Sequence, residues 1–224
     1  MQACSGPVQR VGAPSRTRRG GVSGRAPRPC WAPNERVRCR ARSRYVLGTG
    51  AAPGQDEVDR KYMRECIQLA RKAEGKTDPN PMVGCVLVGQ DGEVIGRGFH
   101  PKPGEPHAEI FALMDAGVKI GKAEDGQTWT LDKKLEGVTA YVSLEPCNHV
   151  GRTPPCSKAL VQAGIARAVV GMIDPDPRVS GGGVQTLLDA GVEVKVGVEE
   201  EACKELNEGF IARVLASLRA DISV

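Results

Sequence analysis

From residue 56 onward the chain alternates between helical and extended hydrophobic periodicity, and that alternation predicts a fold before composition is considered. Between Asp59 and Glu74 the apolar positions Met63, Cys66, Ile67, Ala70 and Ala73 recur at helical spacing, with Asp56 or Asp59 as the capping acid and Gly75 as the stop. Met82–Val88 is a short apolar run, Gly89-Gln90-Asp91-Gly92 has turn chemistry, and Glu93–Phe99 returns with alternation, which predicts a hairpin. His107–Ala116 again has helical spacing, through Ile110, Phe111, Leu113 and Met114. A polar stretch, Gly117–Gly137, separates it from the extended run Val138–Leu144. Next come a helix from about Pro155 to Ala163, a strand over Ala166–Met172, a helix from about Val184 to Ala190, a strand over Val192–Val196 and an acid-led helix from Glu199. Helices between the last three strands require parallel crossovers, and the hairpin supplies an antiparallel edge. The expected fold is therefore α/β, with one five-stranded mixed sheet between helical layers.

Composition changes this picture only at the N-terminus. The formal charge of +4 is unevenly placed: residues 1–55 hold 11 Arg, no Lys and one acid, Glu35, so they carry +10 and residues 56–224 carry -6. An acidic folded part gives no support for nucleic-acid binding by that part. Residues 1–55 are rich in Arg, Gly, Pro, Ala and Ser, lack apolar periodicity and are not expected to fold alone. They contain no continuous apolar stretch of the kind a secretory signal needs, whereas an Arg-rich, acid-poor leader reads as an organelle transit peptide. Val37-Arg38-Cys39-Arg40-Ala41 resembles a plastid processing site, which favours the plastid over the mitochondrion; the plainer alternative is a disordered basic arm. The expected organisation is a leader over 1–55, a catalytic domain over 56–210 and a helical tail over 211–224 with Ile211, Val214, Leu215 and Leu218 on its apolar side. Of the 8 cysteines, Cys4, Cys30 and Cys39 lie in the leader, and Cys66, Cys85 and Cys203 read as small core residues in a reduced chain.

The remaining two cysteines carry the chemistry. His107-Ala108-Glu109 opens a predicted helix, Glu145-Pro146-Cys147 ends a predicted strand, and Cys156 begins the next helix. One imidazole and two thiolates suit tetrahedral Zn²⁺ and leave a fourth position open, which is the mark of a catalytic rather than a structural site. Zinc brings the pKa of water toward ~7, and a carboxylate two residues beyond the His, Glu109, can take that proton and deliver it to a leaving amine. A His-x-Glu followed by Pro-Cys-x-x-Cys is the known signature of zinc nucleobase deaminases. Here eight residues, Asn148 to Pro155, stand between the cysteines instead of two, which predicts a loop beside the pocket.

Taken together, Glu145–Cys156 (EPCNHVGRTPPC), Asn80-Pro81-Met82-Val83-Gly84, Gly104–Glu109 and Asp174-Pro175-Asp176-Pro177 resemble the pyrimidine deaminases of riboflavin biosynthesis, over about Asp59–Phe210. The resemblance implies a cytidine-deaminase-like three-layer α/β/α fold. It also implies hydrolysis of the ring amine of diaminohydroxyphosphoribosylaminopyrimidine to a carbonyl, giving 5-amino-6-(5-phosphoribosylamino)uracil and ammonia. Position by position it makes His107, Cys147 and Cys156 the zinc ligands and Glu109 the proton shuttle. It makes Asn80, His100, His149 and Arg152 substrate contacts. Independently, the planar guanidinium of Arg152 suits a ribose phosphate and the amide of Asn80 suits a ring edge, while His100 and His149 are equally readable as partly solvated histidines.

The chain departs from the resemblance at two points. Family members often carry a basic residue between two glycines where this chain has Gly182, which puts some substrate affinity in question. Many also fuse the deaminase to an NADPH-dependent reductase, yet only 14 residues follow Phe210, so the expectation is a separate reductase acting on the product in the same organelle. The competing readings are a cytidine, guanine or transfer-RNA deaminase on the same scaffold, which the long inter-cysteine loop and the acidic core disfavour, and an inactive zinc-binding partner protein, which the intact His107, Glu109, Cys147 and Cys156 disfavour. A homo-oligomer is compatible with the sequence; nucleic acid and membrane partners are not expected.

Overall fold

The structure is a computed structural model that describes residues 45–47, 54–151, 153–177 and 179–222, all within one unit spanning residues 38–224. Its strands and helices follow the predicted alternation: α1 (Gln55–Arg71), β2 (Gly84–Val88), β3 (Val94–Phe99), α2 (Ala108–Asp115), β6 (Thr139–Leu144), α3 (Cys156–Gln162), β7 (Arg167–Met172), α4 (Gly182–Asp189) and β8 (Glu193–Val196). The closing segment forms two helices, α5 (Glu200–Leu206) and α6 (Glu208–Ile222), rather than one; Asn207, at φ -112 and ψ 21, breaks the helical path between them.

Three short strands lie outside the predicted pattern. β1 (Tyr45–Leu47) pairs parallel to β8 at the sheet edge, opposing Val194 to Val196, so a piece of the segment expected to be a leader adds to the sheet. β4 (Ile120–Lys122) and β5 (Trp129–Leu131) make a separate two-stranded ribbon inside the polar stretch. Runs of three residues are too short for periodicity to register. The rest of the expected leader lies outside the described residues, apart from Gly54 and Gln55.

The main sheet has the order β1-β8-β7-β6-β2-β3. Strands β6, β7, β8 and β1 run parallel, and β2 pairs antiparallel with both β6 and β3, so the five predicted strands form the expected mixed sheet, with β1 added at its edge. Alternation along the strands supplies two apolar faces. Cys85, Leu87, Ala140, Val142, Ala168 and Val170 meet the buried faces of α2, α3 and α4. Val86, Val88, Tyr141 and Val169 meet Tyr62, Met63, Cys66 and Ala70 of α1 and Cys203 and Leu206 of α5. The result is the three-layer α/β/α arrangement. Cys66, Cys85 and Cys203 are free, buried thiols in these layers, as expected.

Asp59 is not a cap. Gly54 occupies the N-cap of α1 in the left-handed region with no side-chain cap bond, and Asp59 lies one turn inside, fully buried. Its carboxylate accepts two hydrogen bonds from Arg167 (2.8 and 2.9 Å), one from Lys195 (2.7 Å) and one from the Tyr141 hydroxyl (3.1 Å). The cations on β7 and β8 attract the acid across the sheet and tie α1 down.

The seat of α2 fixes the site. A Cβ at Gly98 on β3 would overlap the Ala108 carbonyl, so only glycine lets the first turn of α2 lie directly on the strand. That contact carries His107 and Glu109.

Candidate active site

Three elements converge at the end of β6. His107 is the N-cap residue of α2, with extended backbone (φ -75, ψ 165), so its ring leaves the helix axis; Glu109 sits in the first turn and is 2% exposed. Cys147 follows Glu145-Pro146 after β6, and Cys156 is the first residue of α3, its backbone N–H donating to Cys147 Sγ at 3.3 Å. His107 Nδ1 lies 3.5 Å from Cys147 Sγ and 3.4 Å from Cys156 Sγ, and all three ligating atoms fall within 4.8 Å of one another.

These distances fit a metal. With Zn–S near 2.3 Å and Zn–N near 2.0–2.1 Å, an N···S edge of a tetrahedron is about 3.6 Å, so the triangle already has the size a zinc ion needs. The donor set is that of a catalytic zinc, and no fourth His, Cys, Asp or Glu joins the cluster among the described residues. Electrostatics point the same way. Hydrogen bonds from the Cys156 thiol, then the His107 imidazole, hold the Cys147 thiol below its ordinary value against the effect of burial, while the neighbouring Cys147 sulfur and burial push Cys156 up. Burial, with the Cys147 charge behind it, raises Glu109 to about 7, partly offset by His107.

A cavity of about 280 Å³ opens over this cluster. Asn80, His100 and His149 all line it, together with Glu109, Asp174 and Phe210. His100 is 3% exposed and bonded on both ring nitrogens, Nδ1 to the Pro106 carbonyl (3.0 Å) and Nε2 to Asn80 Nδ2 (3.0 Å). Because a carbonyl only accepts, Nδ1 carries the proton; burial lowers the His100 pKa, so the ring is neutral and Nε2 accepts. Asn80 must then present its N–H to His100, which leaves Oδ1 with no hydrogen bond among the described residues. His149 is exposed at the rim. Arg152 lies outside the described residues. A side chain at position 182 would start 3.2 Å from Asn148 Nδ2, so the Gly182 departure faces the inter-cysteine loop.

Sequence reasoning missed two residues that hold this geometry. The Glu145 carboxylate accepts backbone N–H bonds from Gly183 (2.9 Å), Val184 (3.1 Å), Gly181 (2.9 Å) and Asp174 (3.2 Å). It thereby caps α4 from another strand and places negative charge at that helix's N-terminus. Trp129 of β5 donates its Nε1–H to the carbonyls of Pro154 and Pro155 (both 3.1 Å), which anchors the loop just ahead of Cys156. An acid closing an apolar strand and a lone tryptophan in a polar stretch were the available signals.

Comparison with known proteins defines the class. Residues 56–172 match the cytidine and deoxycytidylate deaminase zinc-binding region, and the chain belongs to that deaminase family. Among individual relatives, it is 53% identical over 174 residues to the riboflavin biosynthesis protein PYRD, chloroplastic, of Arabidopsis thaliana, covering 75% of this chain and 37% of that protein. It is 43% identical over 160 residues to the diaminohydroxyphosphoribosylamino-pyrimidine deaminase of Buchnera aphidicola (subsp. Schizaphis graminum), covering 71% of this chain and 98% of that protein. A solved structure of the diaminohydroxyphosphoribosylaminopyrimidine deaminase/5-amino-6-(5-phosphoribosylamino)uracil reductase from Thermotoga maritima is 41% identical, with a TM-score of 0.63 over 73% of this chain and 43% of that one. The chain thus spans about two-fifths of the length of its longer relatives and nearly all of the Buchnera deaminase.

Proposed function

We propose that this chain hydrolyses the ring amine of diaminohydroxyphosphoribosylaminopyrimidine, consuming water and releasing ammonia and 5-amino-6-(5-phosphoribosylamino)uracil. The observation that carries the reading is the His107–Cys147–Cys156 triangle beside buried Glu109, in a chain that aligns with almost the whole length of a deaminase named for this substrate. Zinc held by these three side chains would supply the Lewis acid that makes water nucleophilic at neutral pH. Glu109 moves the proton, taking it from the attacking water and returning it to the leaving amine.

The other groups bind and orient. Oδ1 of Asn80 accepts from a ring N–H or amine, and neutral His100 fixes that orientation by accepting the amide's own N–H. His149 at the rim and Arg152 on the same loop take the ribose phosphate, for which a guanidinium supplies two parallel donors. The product then becomes the substrate of an NADPH-dependent reductase. The Arg-rich leader and the chloroplastic names of the Arabidopsis and maize relatives support import into the plastid, which a fluorescent fusion of residues 1–60 tests; retention in the cytosol would contradict it.

The enzymatic proposal is tested by following ammonia release from the phosphoribosyl diaminopyrimidine before and after chelation. Activity should disappear with the metal and return with zinc. Undiminished activity in the stripped chain would overturn the metal assignment.

A further inference from the structure

The helical tail expected to lie beyond the catalytic domain crosses the 210/211 boundary without a break, as α6, and reaches the cavity: Phe210 and Val214 are part of its wall. Asn207 belongs to the same face, one turn earlier, at the joint with α5. It is 2% exposed, an unusual place for an amide unless its bonds are made. They are. Oδ1 accepts the Met82 N–H at 2.8 Å and Nδ2 donates to the Met82 carbonyl at 3.0 Å, a two-point lock on a backbone segment just ahead of β2. Arg213, six residues further along, grips the other side of the same loop, pairing with Asp78 at 2.9 Å and donating to the Pro79 carbonyl at 3.3 Å.

Between these two grips stands Asn80. Its neighbours Pro79 and Pro81 have restricted φ, and its own N–H donates to the Thr77 carbonyl at 2.7 Å. The loop is held at Met82 by Asn207 and at Asp78 and Pro79 by Arg213, on either side of Asn80, whose amide also meets His100.

We propose that Asn207 is a positioning residue for the deamination site, setting the substrate-reading amide of Asn80 through the Met82 backbone, with Arg213 as a weaker second hold. The inference rests on the reading of Asn80 as a ring contact. It gives the segment after Leu206 a role in substrate binding, not just in covering the sheet.

The test is a double-mutant cycle on the zinc-loaded full chain with the phosphoribosyl diaminopyrimidine. Asn207→Ala should raise KM about tenfold, the cost of one misaligned hydrogen bond to the ring, with zinc content unchanged and kcat within about threefold. Asn80→Ala should raise KM as much or more, and the double variant should be no worse than Asn80→Ala alone, because Asn207 acts through that amide. Losses that multiply in the double variant would overturn the proposal, as would a fall in kcat at constant KM, the signature of a reduced folded fraction. Should Asn207→Ala fail to fold, Arg213→Gln, a change in a half-exposed side chain, reads the same coupling. It should raise KM about twofold, and that effect should vanish in the Asn80→Ala background; persistence there contradicts the proposal. If the parent deaminates cytidine and not the phosphoribosyl pyrimidine, the proposed substrate falls, while the cycle run on cytidine still decides the coupling.

Discussion

The molecule contains two buried polar clusters on opposite faces of one sheet, and they are built to opposite ends. Under α1, Asp59 meets Arg167, Lys195 and the Tyr141 hydroxyl. Burial alone would raise the Asp59 carboxyl, but the hydrogen bonds from the two cations outweigh it and hold the group well below the usual carboxylate range. Every charge there has its partner within the protein. Across the sheet, Glu109 is buried with two thiols and one imidazole and is pushed up to about 7. There the imidazole of His107 is the cationic partner of the Cys147 sulfur, and the three ligand atoms of His107, Cys147 and Cys156 converge within 4.8 Å, a grouping that suits a metal ion. A closed cluster serves stability; one that a metal completes serves chemistry.

The largest expected effect comes from breaking the open cluster. Cys156→Ser should lose both metal and turnover, since a hydroxyl is a poor replacement for a thiolate on zinc; a fully metallated serine variant, by metal analysis, would remove Cys156 from the ligand set. Glu109→Gln should keep the metal and lose ~10² to 10⁴-fold in kcat, because the amide preserves size but cannot accept and return a proton. Activity within about tenfold of the parent would take the shuttle role away from Glu109.

Breaking the closed cluster should give the mirror result. Asp59→Asn removes the acid shared by Arg167 and Lys195 but leaves Glu193 beside the first and Asp56 beside the second, so it should destabilise by about 1.5–3 kcal/mol in urea titration, with metal content and kcat per folded molecule unchanged. The pH dependence follows from the sign of the shift. Because the folded value of Asp59 lies below the unfolded one of about 3.9, its stabilisation is complete above about pH 4 and is lost as pH falls below that. The stability gap between the parent and Asp59→Asn should therefore narrow below about pH 4, and a gap that stayed constant to lower pH would show that Asp59 is not the charge that matters. The smallest effect concerns only part of the substrate. Arg152→Ala should weaken the phosphorylated pyrimidine and leave the dephosphorylated analogue nearly as before, in steady-state kinetics; equal losses on both would make its role structural.

What could be read in the sequence divides along the same line as these clusters. The convergence of His107, Cys147 and Cys156 was legible because His107-Ala108-Glu109 and Glu145-Pro146-Cys147 each carry recognisable chemistry within three residues, and Cys156 follows at the start of a strongly periodic helix. Asp59 was misread because an acid ahead of an apolar helical run looks like a cap, while its true partners lie 108 and 136 residues away. Glu145, Trp129 and Asn207 went unread for the same reason: their hydrogen bonds span 25 to 125 residues and join segments that no local pattern relates. The ribbon of β4 and β5 and the edge strand β1 were too short to leave a hydrophobic signature.

The central claim, metal-dependent deamination of a phosphoribosyl pyrimidine, is tested most directly by competition. The zinc-loaded chain is given the phosphoribosyl diaminopyrimidine and cytidine in equal amounts, and both are followed by mass spectrometry. The account predicts that the phosphoribosyl compound alone exchanges an amine for a carbonyl oxygen, with one ammonia released per product formed. Deamination of cytidine, or no change in either compound by the fully metallated chain, would contradict it.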